Sequence, residues 1–126
     1  MLPAQRPGFT DNIRVRSVIG RFLEHARVFY FCAGADEALY LSSADWMNRN
    51  MLRRVELAWP VEDPALRQRV VSECLTTYLQ DQVDAWTMHP DGHYTQVSSP
   101  RSRAGDKAKG ALGAQGKLMA RYSATP

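Results

Sequence analysis

Lysine is missing from the first 97 residues of this chain; every basic side chain there is arginine. Arginine suits two-point contacts with phosphate oxygens, although a coding bias toward arginine leaves the same pattern. Cysteine is nearly absent as well. Cys32 and Cys74 are the only two and have no motif spacing, which argues for ordinary buried thiols in a reducing compartment. No apolar run approaches the roughly 20 residues that a membrane-spanning helix needs. Met1 to Thr10 has no apolar stretch, so no secretory signal peptide is expected. There are no internal repeats and no glycine-rich phosphate loop. Gly34-Ala35-Asp36 reads as a hairpin turn instead.

What is present fits one domain or part of one. The chain has 126 residues, 44% of them hydrophobic and 10% aromatic, enough to bury a core. Its net charge of +3 hides an asymmetry. Residues 1–97 carry 10 basic and 12 acidic side chains, a net of −2. Residues 98–126 carry Arg101, Arg103, Lys107, Lys109, Lys117 and Arg121 against Asp106, a net of +5. A basic tail can touch a polyanion. The plainer reading is a solvated, disordered end, and it is preferred.

Breakers divide the chain. Pro3, Pro7-Gly8 and Asp11-Asn12 make residues 1–12 a loop. Val15, Val18, Ile19, Phe22 and Leu23 repeat with helical spacing and predict a short amphipathic helix, with Gly20 as a weak point inside it. Arg27–Cys32 and Ala38–Ser42 are rich in aromatic and β-branched or apolar residues and predict a hairpin around Ala33–Glu37. Ser43–Leu52 reads as a structured loop or one helical turn, and Arg53–Val61 as a third strand stopped by Pro60. Asp63-Pro64 is a strong helix start. Leu66, Val70, Cys74 and Tyr78 carry that helix to about Asp81. Val83–Met88 and His93–Val97 predict two more strands around His89-Pro90-Asp91-Gly92. Leu112–Tyr122 predicts a weak final helix. The order implies an α/β fold, with helices packed on a sheet.

The chemistry gathers in the first half. His25 stands where the first predicted helix meets the first strand, a place where functional side chains are displayed. A helix C-terminal histidine stabilised by the dipole is the plainer alternative. Arg27, two residues on, shares the side of His25 if the strand has begun. Ser42, Ser43 and Asp45 could simply cap the next turn. Trp46 and Met47 are read as packing residues. Asn48, Arg49 and Asn50 exceed what a turn requires. Glu56, in an apolar strand, calls for a cationic partner, and an arginine of this group is the candidate. Imidazole can attack phosphorus or pass a proton, guanidinium pairs phosphate oxygens, and hydroxyl and amide groups donate without adding charge. His89 and His93 have the i, i+4 spacing of a helical zinc pair, but Pro90 and Gly92 forbid a helix, so both are read as loop residues.

Asn12-Ile13-Arg14-Val15-Arg16-Ser17-Val18-Ile19-Gly20-Arg21-Phe22-Leu23-Glu24-His25 resembles the C-terminal catalytic region of the histidine-phosphorylating polyphosphate kinases. So do Tyr40-Leu41-Ser42-Ser43-Ala44-Asp45-Trp46-Met47 through Arg49-Asn50, and Arg53-Arg54-Val55-Glu56. Asp63-Pro64, Arg67-Gln68-Arg69 and Asp91-Gly92-His93-Tyr94 continue the likeness, with an echo at Gly113-Ala114-Gln115 and Leu118-Met119. The resemblance spans roughly residues 7–97, about one domain. The layout also resembles the wider phospholipase D superfamily, with His25-x-Arg27, Ser43-Ala44-Asp45 and Glu56 in the places of its motifs. Arg27 for lysine and Asp45 for asparagine depart from the hydrolase pattern.

The resemblance implies a phospholipase D-like mixed sheet with flanking helices, as a partial domain over residues 13–97, followed by a basic flexible tail over 98–126. It implies transfer of the terminal phosphate of ATP to inorganic polyphosphate, with magnesium, through a phosphohistidine. His25 would match the second histidine of that site, which contacts ATP phosphates, and not the one that becomes phosphorylated. By the resemblance, the latter and the magnesium ligands lie on sequence outside this chain. Arg27, Ser43, Asp45, Arg49 and Asn50 would complete the ATP- and phosphate-binding set. ATP, polyphosphate and a complementary kinase chain or second copy are the expected partners, with no nucleic acid. The expected location is cytoplasmic, or membrane-associated as part of a larger enzyme. Alone, the chain should be inactive. Two other readings stand beside this one. One is a non-catalytic polyanion-binding module using Arg14, Arg16, Arg21, Arg27 and Arg49. The other is a phospholipase D-like phosphodiesterase, which normally needs two histidine motifs.

Overall fold

A computed structural model describes residues 5, 7–97 and 111–124. The basic stretch from 98 to 110, expected to be unstructured, lies outside these residues. The chain divides into two compact units. One contains residues 1–22 and 78–126, the other residues 23–77. The expected α/β class holds. Its strands fall into two three-stranded sheets, one in each unit, and every pairing is antiparallel.

The unit of residues 23–77 is built on a hairpin. Strand β2 (Val28–Ala33) pairs with β3 (Asp36–Ser42) from Val28↔Leu41 to Ala33↔Asp36. The turn is only Gly34-Ala35, and Gly34 adopts φ 67°, a conformation that glycine takes at no steric cost. Leu39, on the central strand, is 1% exposed. Helix α1 (Asn48–Arg53) follows, then edge strand β4 (Ala58–Pro60), which pairs with β3. Pro60 is tolerated because an edge strand has one unpaired side. The strand expected over Arg53–Val61 is therefore cut to three residues. Helix α1 takes Arg53, and Ser42 and Ser43 hold Leu57 beside the end of β3. Ser43 N–H donates to the Leu57 carbonyl at 3.0 Å, Leu57 N–H donates to Ser43 Oγ at 3.0 Å, and Ser42 Oγ donates to the Leu57 carbonyl at 3.0 Å. Hydroxyls thus take the place of ladder bonds.

Helix α2 (Pro64–Val70) starts as its sequence predicts. Asp63 Oδ1 accepts from Leu66 N–H at 2.8 Å, and Pro64 occupies the first position. The helix widens into a π-helical stretch, Val71–Thr76, that lies against β2. The short α3 (Thr77–Leu79) follows.

In the other unit, β1 (Arg16–Val18) pairs with β5 (Ala85–Met88), and β5 pairs with β6 (Tyr94–Gln96). The helix expected over Val15–Leu23 does not form. The β-branched residues that gave it helical spacing suit a strand equally well, and β5 offers that strand a partner. Ile19, Phe22 and Leu23 remain largely exposed, so they make no buried helix face. Helix α4 (Ala114–Ser123) matches the expected final helix.

Helix α4 is fastened by two devices. Asp81, fully buried, accepts from Val83 and Asp84 N–H through Oδ1 at 2.7 and 2.8 Å, and from Ala114 N–H through Oδ2 at 2.6 Å. Gln115 Oε1 accepts from Phe22 N–H at 2.9 Å, and its Nε2 donates to the Phe22 carbonyl at 2.8 Å. Gly20 makes room for this amide, since a Cβ there would lie 2.3 Å from Gln115 Oε1. Gly20→Ala is expected to push the amide aside and cost about 1 kcal/mol, the scale of one net hydrogen bond. Gln115→Ala should cost the same and the double variant no more. Urea unfolding of the three variants checks this, and additive losses would refute the shared device.

Candidate functional site

Every side chain expected at the site belongs to the unit of residues 23–77. They gather at the end of the β2–β3 hairpin away from its turn, where β2 begins and β3 ends. Arg27 is the hub. Its Nε donates to Asp45 Oδ1 at 2.8 Å and its Nη2 to Asp45 Oδ2 at 3.1 Å, a two-point ion pair. Its Nη1 donates to the His25 carbonyl at 2.6 Å. One guanidinium thus ties the segment before β2 to the loop after β3. These hydrogen bonds and charges hold the Asp45 carboxyl below its ordinary range. The Arg27 bond leads, partial burial opposes it, and the charges of Arg27, Arg49 and His25 add to it. The same bond to Asp45 raises Arg27.

His25 lies in an exposed loop before β2 and not at a helix end. Its ring has no hydrogen-bond partner among the described residues. Arg49, exposed on α1, donates through Nε to Asn50 Oδ1 at 3.4 Å. Asn50 is 3% exposed, so it anchors α1 and presents Arg49. The turn role considered for these residues is met by Ser42, whose Oγ accepts from Ala44 N–H at 3.1 Å, while α1 itself has Met47 as N-cap, without a side-chain cap bond. Ser43 Oγ donates to Glu56 Oε2. Glu56 sits in the loop before β4, and its nearest arginine nitrogen is Arg54 Nη1 at 4.0 Å. The partner expected for Glu56 is therefore first a hydroxyl and only second an arginine.

The arrangement can act on an anion in a limited way. Two nitrogens of Arg27 are filled by Asp45 and a third serves a carbonyl. Arg49 and His25 are both exposed, and each contributes to the lowering of Asp45. Among the described residues, no three of His, Cys, Asp and Glu come together to hold a metal ion. Asp45 and Glu56 are each engaged within the protein. At this end of the hairpin both carboxylates are thus already taken and offer a magnesium ion no free ligand.

In the other unit, His89 and His93 lie in the β5–β6 hairpin, as their proline and glycine predict. Their rings stack with centroids 4.2 Å apart at 7°. His89 Nε2 meets Thr95 Oγ1 at 2.7 Å, and His93 Nδ1 meets Asp91 Oδ1 at 2.5 Å.

What the geometry defines is a mixed α/β domain that collects an imidazole, two guanidiniums and a carboxylate at one end of a hairpin. Comparison with known proteins narrows that class. The family model "Polyphosphate kinase C-terminal domain 2" matches residues 1–108. A polyphosphate kinase of Burkholderia cenocepacia (strain HI2424) is 57% identical over 88 residues, covering 70% of this chain and 13% of that protein. One from Burkholderia lata is 52% identical over 105 residues, covering 83% of this chain and 15% of that protein. The crystal structure of polyphosphate kinase from Porphyromonas gingivalis superposes with a TM-score of 0.73 at 32% identity, over 90% of this chain and 16% of that one. The chain belongs to the polyphosphate kinase family, in the region of its second C-terminal domain. It spans about one seventh of the length of these relatives. No helix among the described residues is long and apolar enough to cross a membrane.

Proposed function

We propose that this chain supplies the ATP-side face of a polyphosphate kinase site. The γ-phosphoryl group of ATP passes to a histidine on another part of the enzyme, releasing ADP. It then passes to the terminal oxygen of polyphosphate. Arg49 and His25 contact phosphate oxygens, and Arg27 with Asp45 holds both segments in place. The observation that carries this reading is the Arg27–Asp45 pair, which together with the bond from Arg27 to the His25 carbonyl ties the segment bearing His25 to the loop that leads into α1. Such a transfer depends on many charges placed at once, so residues 1–126 alone should show no turnover.

Purified chain is expected to make no polyphosphate from ATP. Combined with a polyphosphate kinase that lacks the matching region, it should. In that mixture His25→Ala is expected to lower activity by roughly 10²-fold, the scale of one positioned acid–base or anion-contacting group. Robust synthesis by the chain alone sinks the proposal. Unchanged activity of His25→Ala moves the reading to polyanion binding without chemistry. That module would lose Arg16, whose Nη2 already donates to the Asp81 carbonyl.

A further inference from the structure

We infer that Gln115 is a positioning residue for His25: its amide holds the backbone at Phe22, three residues before the imidazole, and so limits where that imidazole can stand. The amide makes two bonds with one residue. Its Oε1 accepts from Phe22 N–H and its Nε2 donates to the Phe22 carbonyl. A side chain thus supplies the pair of bonds that a residue on a neighbouring antiparallel strand would exchange. It extends the hold on this segment beyond β1, where Ile19 N–H still donates to the Asp84 carbonyl at 3.0 Å. Gly20 is shaped for the amide. Its backbone is not left-handed, so conformation alone does not call for glycine there. Space does, because a Cβ would lie 2.3 Å from Gln115 Oε1 and 2.5 Å from Cδ.

Burial does little to fix the stretch that follows. Phe22 is 49% and Leu23 85% exposed, and residues 23–26 form neither helix nor strand. Hydrogen bonds at its two ends do the fixing. Gln115 holds Phe22 within their common unit. Arg27 Nη1 holds the His25 carbonyl from the other side. Chain continuity alone carries the first hold to the imidazole. Three residues of backbone span at most about 11 Å, so a fixed Phe22 confines the His25 Cα to that radius. Without the amide, the stretch keeps only the Arg27 tie and gains conformational freedom. Gln115 touches no reacting atom in this account and acts through the backbone. The inference rests on the reading of His25 as a phosphate-contacting group.

Activity is read in Burkholderia cenocepacia polyphosphate kinase carrying this sequence in place of the region that matches it. Gln115→Ala and, independently, Gly20→Ala are each expected to lower kcat about tenfold, with KM for ATP within about twofold, as for a modest displacement of a reacting group. In a His25→Ala background neither should lower it further. In the full chain, backbone nitrogen relaxation should show residues 23–26 more mobile in Gln115→Ala, with β2 and β3 unchanged. Unaltered mobility, an unchanged kcat where His25→Ala is impaired, or losses that add to that of His25→Ala overturn the inference. Raised mobility with full activity of His25→Ala leaves the positioning intact and counts against the proposed function alone.

Discussion

Asp81→Ala will unfasten helix α4 and cost on the order of 3–5 kcal/mol. Three backbone N–H groups, from Val83, Asp84 and Ala114, converge on one fully buried carboxylate. A hydrogen bond to a charged group contributes about 1.5–3 kcal/mol, and a buried donor left without its acceptor adds a desolvation cost. The segment is closely packed around this carboxylate. A Cβ at Gly113, the residue before α4, would fall 2.0 Å from Asp84 Oδ2 and 3.1 Å from Asp81 Oδ2. Set against the 5–15 kcal/mol of a typical domain, the loss is a large fraction. Chemical denaturation followed by circular dichroism, and hydrogen exchange at the Ala114 amide, read the effect. A cost below about 1 kcal/mol, near that of an ordinary surface change, would contradict it.

The same carboxylate makes the unit acid-sensitive. Burial pushes Asp81 up, but the N–H donors of Ala114, Asp84 and Val83, with the charge of Lys117, outweigh it and leave it lowered. A group lowered in the folded state adds stability above its unfolded value, about 3.9. That stability is lost as pH falls through the folded value. Stability should therefore hold from neutral pH to about 5 and decline below 4. Asp81→Asn, which cannot ionise, should flatten that decline.

The hairpin, the Asp63-Pro64 helix and the final helix were legible because each carries a local signal: alternation, a cap, a period. The Val15–Leu23 segment misled because its apolar spacing fits two geometries, and the choice was made by β5, some 70 residues away in sequence. Glu56 misled for a related reason. A serine hydroxyl can end a strand as well as a ladder bond can extend it, and composition does not reveal which will happen. Asp81 and Gln115 left almost no trace in the sequence. Each acts on the backbone of a distant segment, with the single hint of glycines at 20 and 113. At the site, the residue types around His25 and Asp45 were readable, but the pairing of Arg27 with Asp45 was not. That pairing changes the role of Arg27, because a guanidinium already committed to a carboxylate is poorly placed to hold phosphate.

Arg27 is therefore expected to act by position, and its replacement should separate position from charge. Arg27→Ala removes the two-point pair to Asp45 and the bond to the His25 carbonyl together. The loop from Ser43 to Met47 loses its tie to the segment before β2, and amide exchange across it should rise. A small displacement of reacting groups can cost about 10²-fold in rate, so activity of the recombined enzyme should fall by roughly that factor. The fall should appear in kcat, with KM for ATP nearly unchanged. Arg27→Lys keeps the charge but cannot offer two parallel bonds and a third to the carbonyl, so it should rescue little. Arg27→Ala combined with Asp45→Ala should lose no more than Arg27→Ala alone, since both break one device. Full rescue by lysine, a rise confined to KM, or additive losses would each show that Arg27 meets phosphate directly. In that case Asp45 would have to yield its partner whenever substrate binds, and the ion pair between the segment before β2 and the loop after β3 would be the resting form of the site.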